Sequence, residues 1–224
     1  MALLLNIETS VPICSVSIAN DGICLAESRS DIANDHIAQL TSLIIETLKK
    51  TGNKLKDLDA IAVSCGPGSY TGLRIGVSTA KGMCHAINKP LIAVNTLRSM
   101  VEPLLSVYKQ SDTLFCPLID ARRLEVYTAI YNRIGETIMP PQPLLFEETG
   151  YSEFLNQAKV IFFGSGLDKG KPFLQHQNAV FHDDHEQISS NLSALSFARY
   201  QNEEFEDLAY FEPEYIKEFY STKK

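Results

Sequence analysis

LLLNIETS, residues 3–10, is an apolar strand pattern that delivers one acid, Glu8, followed by two hydroxyls, Thr9 and Ser10. The same shape returns in FCPLIDAR, residues 115–122, with Asp120 near its end. The two acids stand 112 residues apart in a chain of 224, so the spacing is half the length and reads as an internal duplication. At that offset Cys14, Val16 and Ile18 fall on Val126, Thr128 and Ile130, which keeps the inward face of the next alternating strand in phase. Asn20 and Asn132 also coincide, in NDG and NRIG, the chemistry a hairpin turn wants.

A looser echo links AIAVSCGPG (60–68) with KVIFFGSG (159–166), each a buried strand running into G-x-G. The second half is shorter between these marks, so it has lost helical material. Strands alternating with helices make the chain α/β, in two lobes placed at residues 1–110 and 111–224, the second reduced. Between the strands of the first half, NDHIAQLTSLIIETLKKTG predicts an amphipathic helix, with Asn34 or Asp35 as N-cap and Gly52 as the stop. Ile37, Leu40, Ile44 and Leu48 supply its apolar spacing.

A chain of this length suits two lobes of roughly 100 residues each. Its 45% hydrophobic and 21% charged residues are ordinary for a folded protein. No stretch approaches the roughly 20 apolar residues that cross a bilayer, and MALLLNIETS lacks a basic leader and cleavage site, so a cytoplasmic location without membrane contact is expected. Cys14, Cys24, Cys65, Cys84 and Cys116 show no C-x-x-C spacing and read as small buried hydrophobes. The net charge of −7 is uneven: residues 182–218 hold ten acids against two bases. Gripping RNA alone usually takes a basic patch, so contact with RNA is expected only through a partner.

CGPGSYTGLRIG, residues 65–76, has a strand before it and a helix after it, the setting in which backbone N–H groups meet a phosphate. The spacing fits neither familiar version. Gly72 is followed by Leu73 and Arg74 rather than Lys-Ser/Thr, and Gly66, Gly68 and Gly72 make G-x-G-x-x-x-G rather than a dinucleotide fingerprint. Gly72, Gly76, Ala80 and Cys84 recur every four residues, a column of small side chains that lets another helix come close. Two readings stay open: the column packs inside the chain, or it is a seam between chains.

LLNIETS, AVSCGPGSYTGLRIGVSTAKGMCHAINKPLIAVNTL, IDARRLEVYTAIY, FFGSG and PEYIKEF together resemble the TsaB (YeaZ) family over nearly the whole chain. The resemblance implies the actin/hexokinase-like superfold and a helper in making threonylcarbamoyladenosine in tRNA. Its partners would be a catalytic TsaD-type subunit and a TsaE-type ATPase, with tRNA met only indirectly. TsaD carries a metal-binding H-x-x-x-H where this chain has Thr96 and Met100, so no metal and no catalytic residue is expected here. The partner interface would use the two first-lobe helices, through His36, Leu40, Leu43, Gly72, Arg74, Gly76, Val77, Ala80, Lys81 and Cys84, and the same seam would allow a homodimer.

Glu8, Thr9 and Ser10 match the first phosphate loop of the superfold, and Asp120, Ala121 and Arg122 the second. Glu8, Thr9, Ser10, Gly66, Gly68 and Asp120 are therefore the candidate nucleotide residues, although these acids serve equally well to satisfy turn N–H groups. No cofactor is required of this chain, with ATP or ADP belonging to the complex. The rival reading is a stand-alone ATPase or small-molecule kinase built on Glu8 and Asp120. A metalloprotease fails for want of H-E-x-x-H. His182 and His185, in HDDHEQ, lie in a segment with no predicted strand or helix to hold a metal.

Overall fold

Two five-stranded sheets carry the computed structural model, which describes residues 1–30, 32–33, 35–146 and 150–217. β1 (Leu3–Glu8), β2 (Ser15–Asn20), β3 (Ile23–Arg29), β4 (Ala60–Gly66) and β5 (Leu91–Asn95) lie in the order β3-β2-β1-β4-β5. β6 (Thr113–Asp120), β7 (Glu125–Tyr131), β8 (Thr137–Leu145), β9 (Lys159–Phe163) and β10 (Ala179–His182) lie in the order β10-β9-β6-β7-β8. Taken strand for strand these orders are identical, antiparallel through the hairpins and parallel at the later strands. This is the duplicated actin/hexokinase-like α/β fold.

The helices are α1 (His36–Thr51), α2 (Tyr70–Ile87), α3 (Thr96–Val101), α4 (Leu104–Val107), α5 (Ser152–Gln157), α6 (Leu167–Gly170) and α7 (Ser193–Gln201). α1 and α2 have 16 and 18 residues, whereas their counterparts α5 and α6 have six and four, which is the expected reduction of the second half.

The chain divides into Met1–Pro103 with Glu186–Pro213, and Leu104–His185 with the segment beginning at Glu214. This differs from a single cut after residue 110 because the chain returns to the first sheet. On α7, Ser196 Oγ donates to Asn6 Oδ1 of β1 at 2.7 Å, and Leu192 joins Leu4, Ala62 and Val94 in one apolar cluster. The first sheet is thus covered on both faces. Leu5, Ile7, Val16 and Ile18 meet α1 and α2 on one face, and Leu4 and Asn6 meet α7 on the other.

Register corrects the equivalence of the two acids. Ile7 pairs with Val16, and Leu118 pairs with Thr128, the corresponding helix-facing pair of the second sheet. The second strand of each hairpin keeps the 112-residue spacing, but the first is one residue shorter, so Glu8 corresponds to Ile119 and not to Asp120. A one-residue slip exchanges the faces of a strand. Glu8 therefore lies on the α7 face of its sheet, while Asp120 shares the face of Leu118 and reaches Lys169 of α6.

α1 forms where expected and stops at Gly52, whose φ of 72° is the left-handed conformation that glycine adopts most readily. Asp35 is its N-cap, without a side-chain cap bond; Asn34 lies outside the described residues. Its inward face is His36, Leu40, Leu43, Ile44 and Thr47, and Ile37, expected inside, is 77% exposed. His36 takes the inner place because its Nε2 bonds the Val11 carbonyl at 2.8 Å. Four of the cysteines are buried, but Cys24 is exposed on the edge strand β3.

Candidate functional site

The loop after β1, the glycine turn after β4 and the start of α2 form one construction. Ser69 caps α2, its Oγ accepting from Gly72 N at 3.2 Å, and its own N–H donates to the Ser10 carbonyl at 2.7 Å. Strand, turn and helix follow one another as the sequence indicates, and the space left by the missing side chains of three glycines is taken up within the chain. A methyl added at Gly68 would stand 2.5 Å from Ser10 O, at Gly72 2.0 Å from Thr9 O, and at Gly76 2.1 Å from Thr9 Oγ1. The groove opened by the missing side chains is filled by Thr9 and Ser10 of the same chain.

Glu8 is completely buried in this construction. Its Oε1 accepts from Ser10 N at 2.6 Å, Ser10 Oγ at 2.5 Å and Ser64 Oγ at 2.9 Å, and its Oε2 accepts from Gln187 Nε2 at 2.6 Å. Gln187 also donates to Ser99 Oγ at 2.7 Å. Burying a carboxylate is costly unless donors replace its water, and four do so here. Gln187 lies 179 residues from Glu8 and was not anticipated. The signal was present in QISSNLSALS, where Ser189, Ser193 and Ser196 recur at helical spacing as a polar stripe fit to meet buried polar groups on β1.

This placement decides the small-residue column. Gly72, Gly76, Val77, Ala80 and Cys84 are buried within their own chain, as are His36, Leu40 and Leu43 of α1, so their side chains are not on its surface. Burial pushes the Cys84 thiol up to about 12, and its Sγ sits 3.4 Å from the Pro90 carbonyl. The expected interface residues that do reach solvent are fewer. Arg74 is exposed and stacks over the Tyr70 ring at 4.1 Å, while Lys81 is half-buried and donates to the Phe211 carbonyl. The exposed face of α1 includes instead Ile37, Thr41 and Ile45, four residues apart, beside Ala38, Ser42 and Glu46.

Asp120 stands in a different setting. It is 40% exposed, accepts from Arg122 N at 2.7 Å and pairs with Lys169. Gly66 carries a φ of 127°, open to glycine alone, and ends β4 without a ligand-facing side chain. Thr96 and Met100, on α3, are 0% and 2% exposed.

His182 ends β10, a strand not predicted there, and its Nδ1 meets the Tyr108 hydroxyl at 3.2 Å. The His185 ring lies 4.8 Å from that of Phe163, and burial first, then His182, lowers its pKa to about 4. Among the described residues no group of three His, Cys, Asp or Glu side chains could hold a metal ion. No helix among them is long and apolar enough to cross a membrane.

The family described as "TsaD: tRNA N6-adenosine threonylcarbamoyltransferase" matches residues 30–219. An Escherichia coli relative, "tRNA threonylcarbamoyladenosine biosynthesis protein TsaB", is 35% identical over 58% of this chain and 55% of its own length. A Bacillus subtilis protein of the same description is 29% identical over 77% of this chain and 75% of its own length. A Buchnera aphidicola protein of that description is 31% identical over 71% of this chain and 67% of its own length. The chain belongs to the TsaB family. In its match the chain spans about half the length of the E. coli TsaB protein. A crystal structure from Pseudomonas aeruginosa, of a protein similar to peptidase YeaZ, superposes with a TM-score of 0.84 at 24% identity, covering 97% of this chain and 100% of that one. At that identity the likeness speaks for the fold alone.

Proposed function

We propose that this TsaB-family chain is a non-catalytic partner that binds and activates a TsaD-type subunit during formation of N6-threonylcarbamoyladenosine, beside the anticodon of tRNA. The observation carrying the proposal is the closure around Glu8. A stand-alone kinase or ATPase using Glu8 would need its oxygens turned to a metal-bound phosphate, yet four donors of the same chain occupy them. The glycine groove beside it holds Thr9 and Ser10. What is left for function is surface.

The docking surface we assign is the outer face of α1 and α2: Ile37, Thr41 and Ile45, with Arg74 and Ser78. Exposed isoleucines on a helix four residues apart suit packing against a partner's helices and, without a partner, against a second copy of the same patch. On this proposal the chain needs no cofactor of its own and meets tRNA through the complex, which also includes a TsaE-type ATPase.

The test reconstitutes this chain with TsaD-type and TsaE-type subunits, tRNA and the threonylcarbamoyl donor, and measures the modified adenosine by mass spectrometry. Product that requires the TsaD-type subunit, and that is lost with Ile37→Asp/Ile45→Asp through failure of the subunits to associate, is the expected result. Product from this chain alone, or wild-type association by the double variant, would overturn the proposal.

A further inference from the structure

α7 ends in a tight helix stop of the kind that glycine ordinarily makes. Glu203 N donates to the Tyr200 carbonyl at 3.1 Å and Glu204 N to the Arg199 carbonyl at 3.0 Å, the paired bonds of a Schellman stop. Glu203 is its left-handed residue, with a φ of 55°. Glycine reaches that conformation at lower cost, so the helix end itself does not call for a glutamate. Nor does the side chain hold the stop together, because its exposed carboxylate forms no hydrogen bond or ion pair among the described residues.

Glu203 stands on the wall of an open pocket of about 650 Å³ that lies wholly within the first unit. Ala2, Asp59 and Pro90 immediately precede the parallel strands β1, β4 and β5, so the pocket is at the end of the first sheet opposite to Glu8. Phe197, Tyr200 and Phe205 give it aromatic walls, the last two rings 5.9 Å apart at 55°. The other carboxylates are engaged. Asp21 accepts from Ala2 N at 2.8 Å and has the Met1 amino group at 3.8 Å, while Asp59 accepts from Leu3 N at 2.8 Å and has Lys89 at 3.6 Å. Neighbouring Glu204 and Glu206 share Arg199. The surplus charge of the pocket is therefore Glu203, one uncompensated carboxylate beside aromatic rings.

We infer that this pocket receives an arginine or lysine side chain of a partner polypeptide. A guanidinium or ammonium is drawn both to a carboxylate and to ring faces, and aromatic walls also cover the apolar stem that carries it. A phosphate-bearing partner is disfavoured by the surplus negative charge. The pocket is open on one side, which suits a side chain presented by a protein surface better than a free cation that needs enclosure. The inference does not rest on the docking surface of α1.

The experiment is a heteronuclear NMR titration of the full chain at low salt with N-acetylarginine amide, N-acetyllysine amide, the neutral N-acetylglutamine amide and spermidine. A basic amide should shift the backbone signals of Tyr200, Glu203 and Phe205, and the glutamine amide should leave them in place. Two variants accompany it: Glu203→Gln, which keeps the shape without the charge, and Glu203→Gly, which suits the left-handed stop. Both should weaken binding of the basic amide by about tenfold, as expected for one charge-assisted contact. The glycine variant should melt no lower than the wild type. Four results would overturn the inference: no shift at these residues with either basic amide, unchanged affinity in both variants, binding of spermidine alone, or a lower melting temperature for Glu203→Gly, which would make the glutamate structural.

Discussion

Gly76 and Gly82 lie in the same helix, α2, and their replacement by alanine should have opposite effects. An alanine at either position gains about 1 kcal/mol of helix propensity. At Gly82 the new methyl meets nothing within 4 Å, so the gain is realised and Gly82→Ala should stabilise by about 0.5–1 kcal/mol. At Gly76 the methyl would stand 2.1 Å from Thr9 Oγ1, 3.2 Å from its Cβ and 3.3 Å from its Cγ2. Thr9 is wholly buried, so it cannot swing clear, and overpacking a full core costs about 1–3 kcal/mol. Net destabilisation by up to about 2 kcal/mol follows for Gly76→Ala. Gly72→Ala should be worse, because the atom it meets, Thr9 O, belongs to the backbone. Urea unfolding of the isolated chain, followed by circular dichroism, measures all three. Thr9→Ala combined with Gly76→Ala should recover about 1 kcal/mol of the loss, since each change acts on the same contact. Equal midpoints for Gly76→Ala and Gly82→Ala would refute the seating of α2 on Thr9, and with it the intramolecular role of the small-residue column.

Removing Gln187 by Gln187→Ala leaves Glu8 Oε2 without its donor, so the chain should lose about 1–3 kcal/mol, read from the urea midpoint; an unchanged midpoint would place Glu8 elsewhere. His185 has a folded pKa lowered from 6.5 to about 4, so between those values the unfolded chain binds the extra proton. Stability should therefore fall as pH drops from about 6.5 to 4, by up to about 3 kcal/mol, and level off below; His185→Leu should flatten that arm in a urea series across pH. Ile45 is 48% exposed, so Ile45→Lys should change stability by no more than about 0.5 kcal/mol while weakening association with the TsaD-type subunit in size-exclusion chromatography; intact association would move the docking surface off α1.

Local chemistry was legible directly. The apolar runs LLLNIETS and FCPLIDAR, each delivering an acid near its end, showed strands and duplication, because a strand buried on both faces is apolar along most of its length. The route from AIAVSC through glycines into a helix was equally plain, as was the stop at Gly52, since both follow from backbone preference within a few residues. The site was legible only as a set of residues. Glu8, Thr9, Ser10, Gly68, Gly72 and Gly76 were all singled out, and they do come together, but in mutual contact.

What tertiary structure alone decided was direction. A column of small residues every four positions says that something comes close, and only the packed fold shows that the visitor is Thr9 of the same chain. The acids at the strand tips looked equivalent because 112 is half of 224, yet pairing between strands shifts one hairpin by a residue and turns them to non-equivalent faces. Gln187 reaches Glu8 across 179 residues of chain, a distance at which no local pattern constrains a partner. Periodicity and turn chemistry are properties of neighbouring residues, and so the sequence by itself determined the elements and their repetition. Which face meets which neighbour depends on burial summed over the whole chain, and the fold alone decided that Glu8 is enclosed, the glycine column is filled, and Ile37 and Ile45 are left facing solvent.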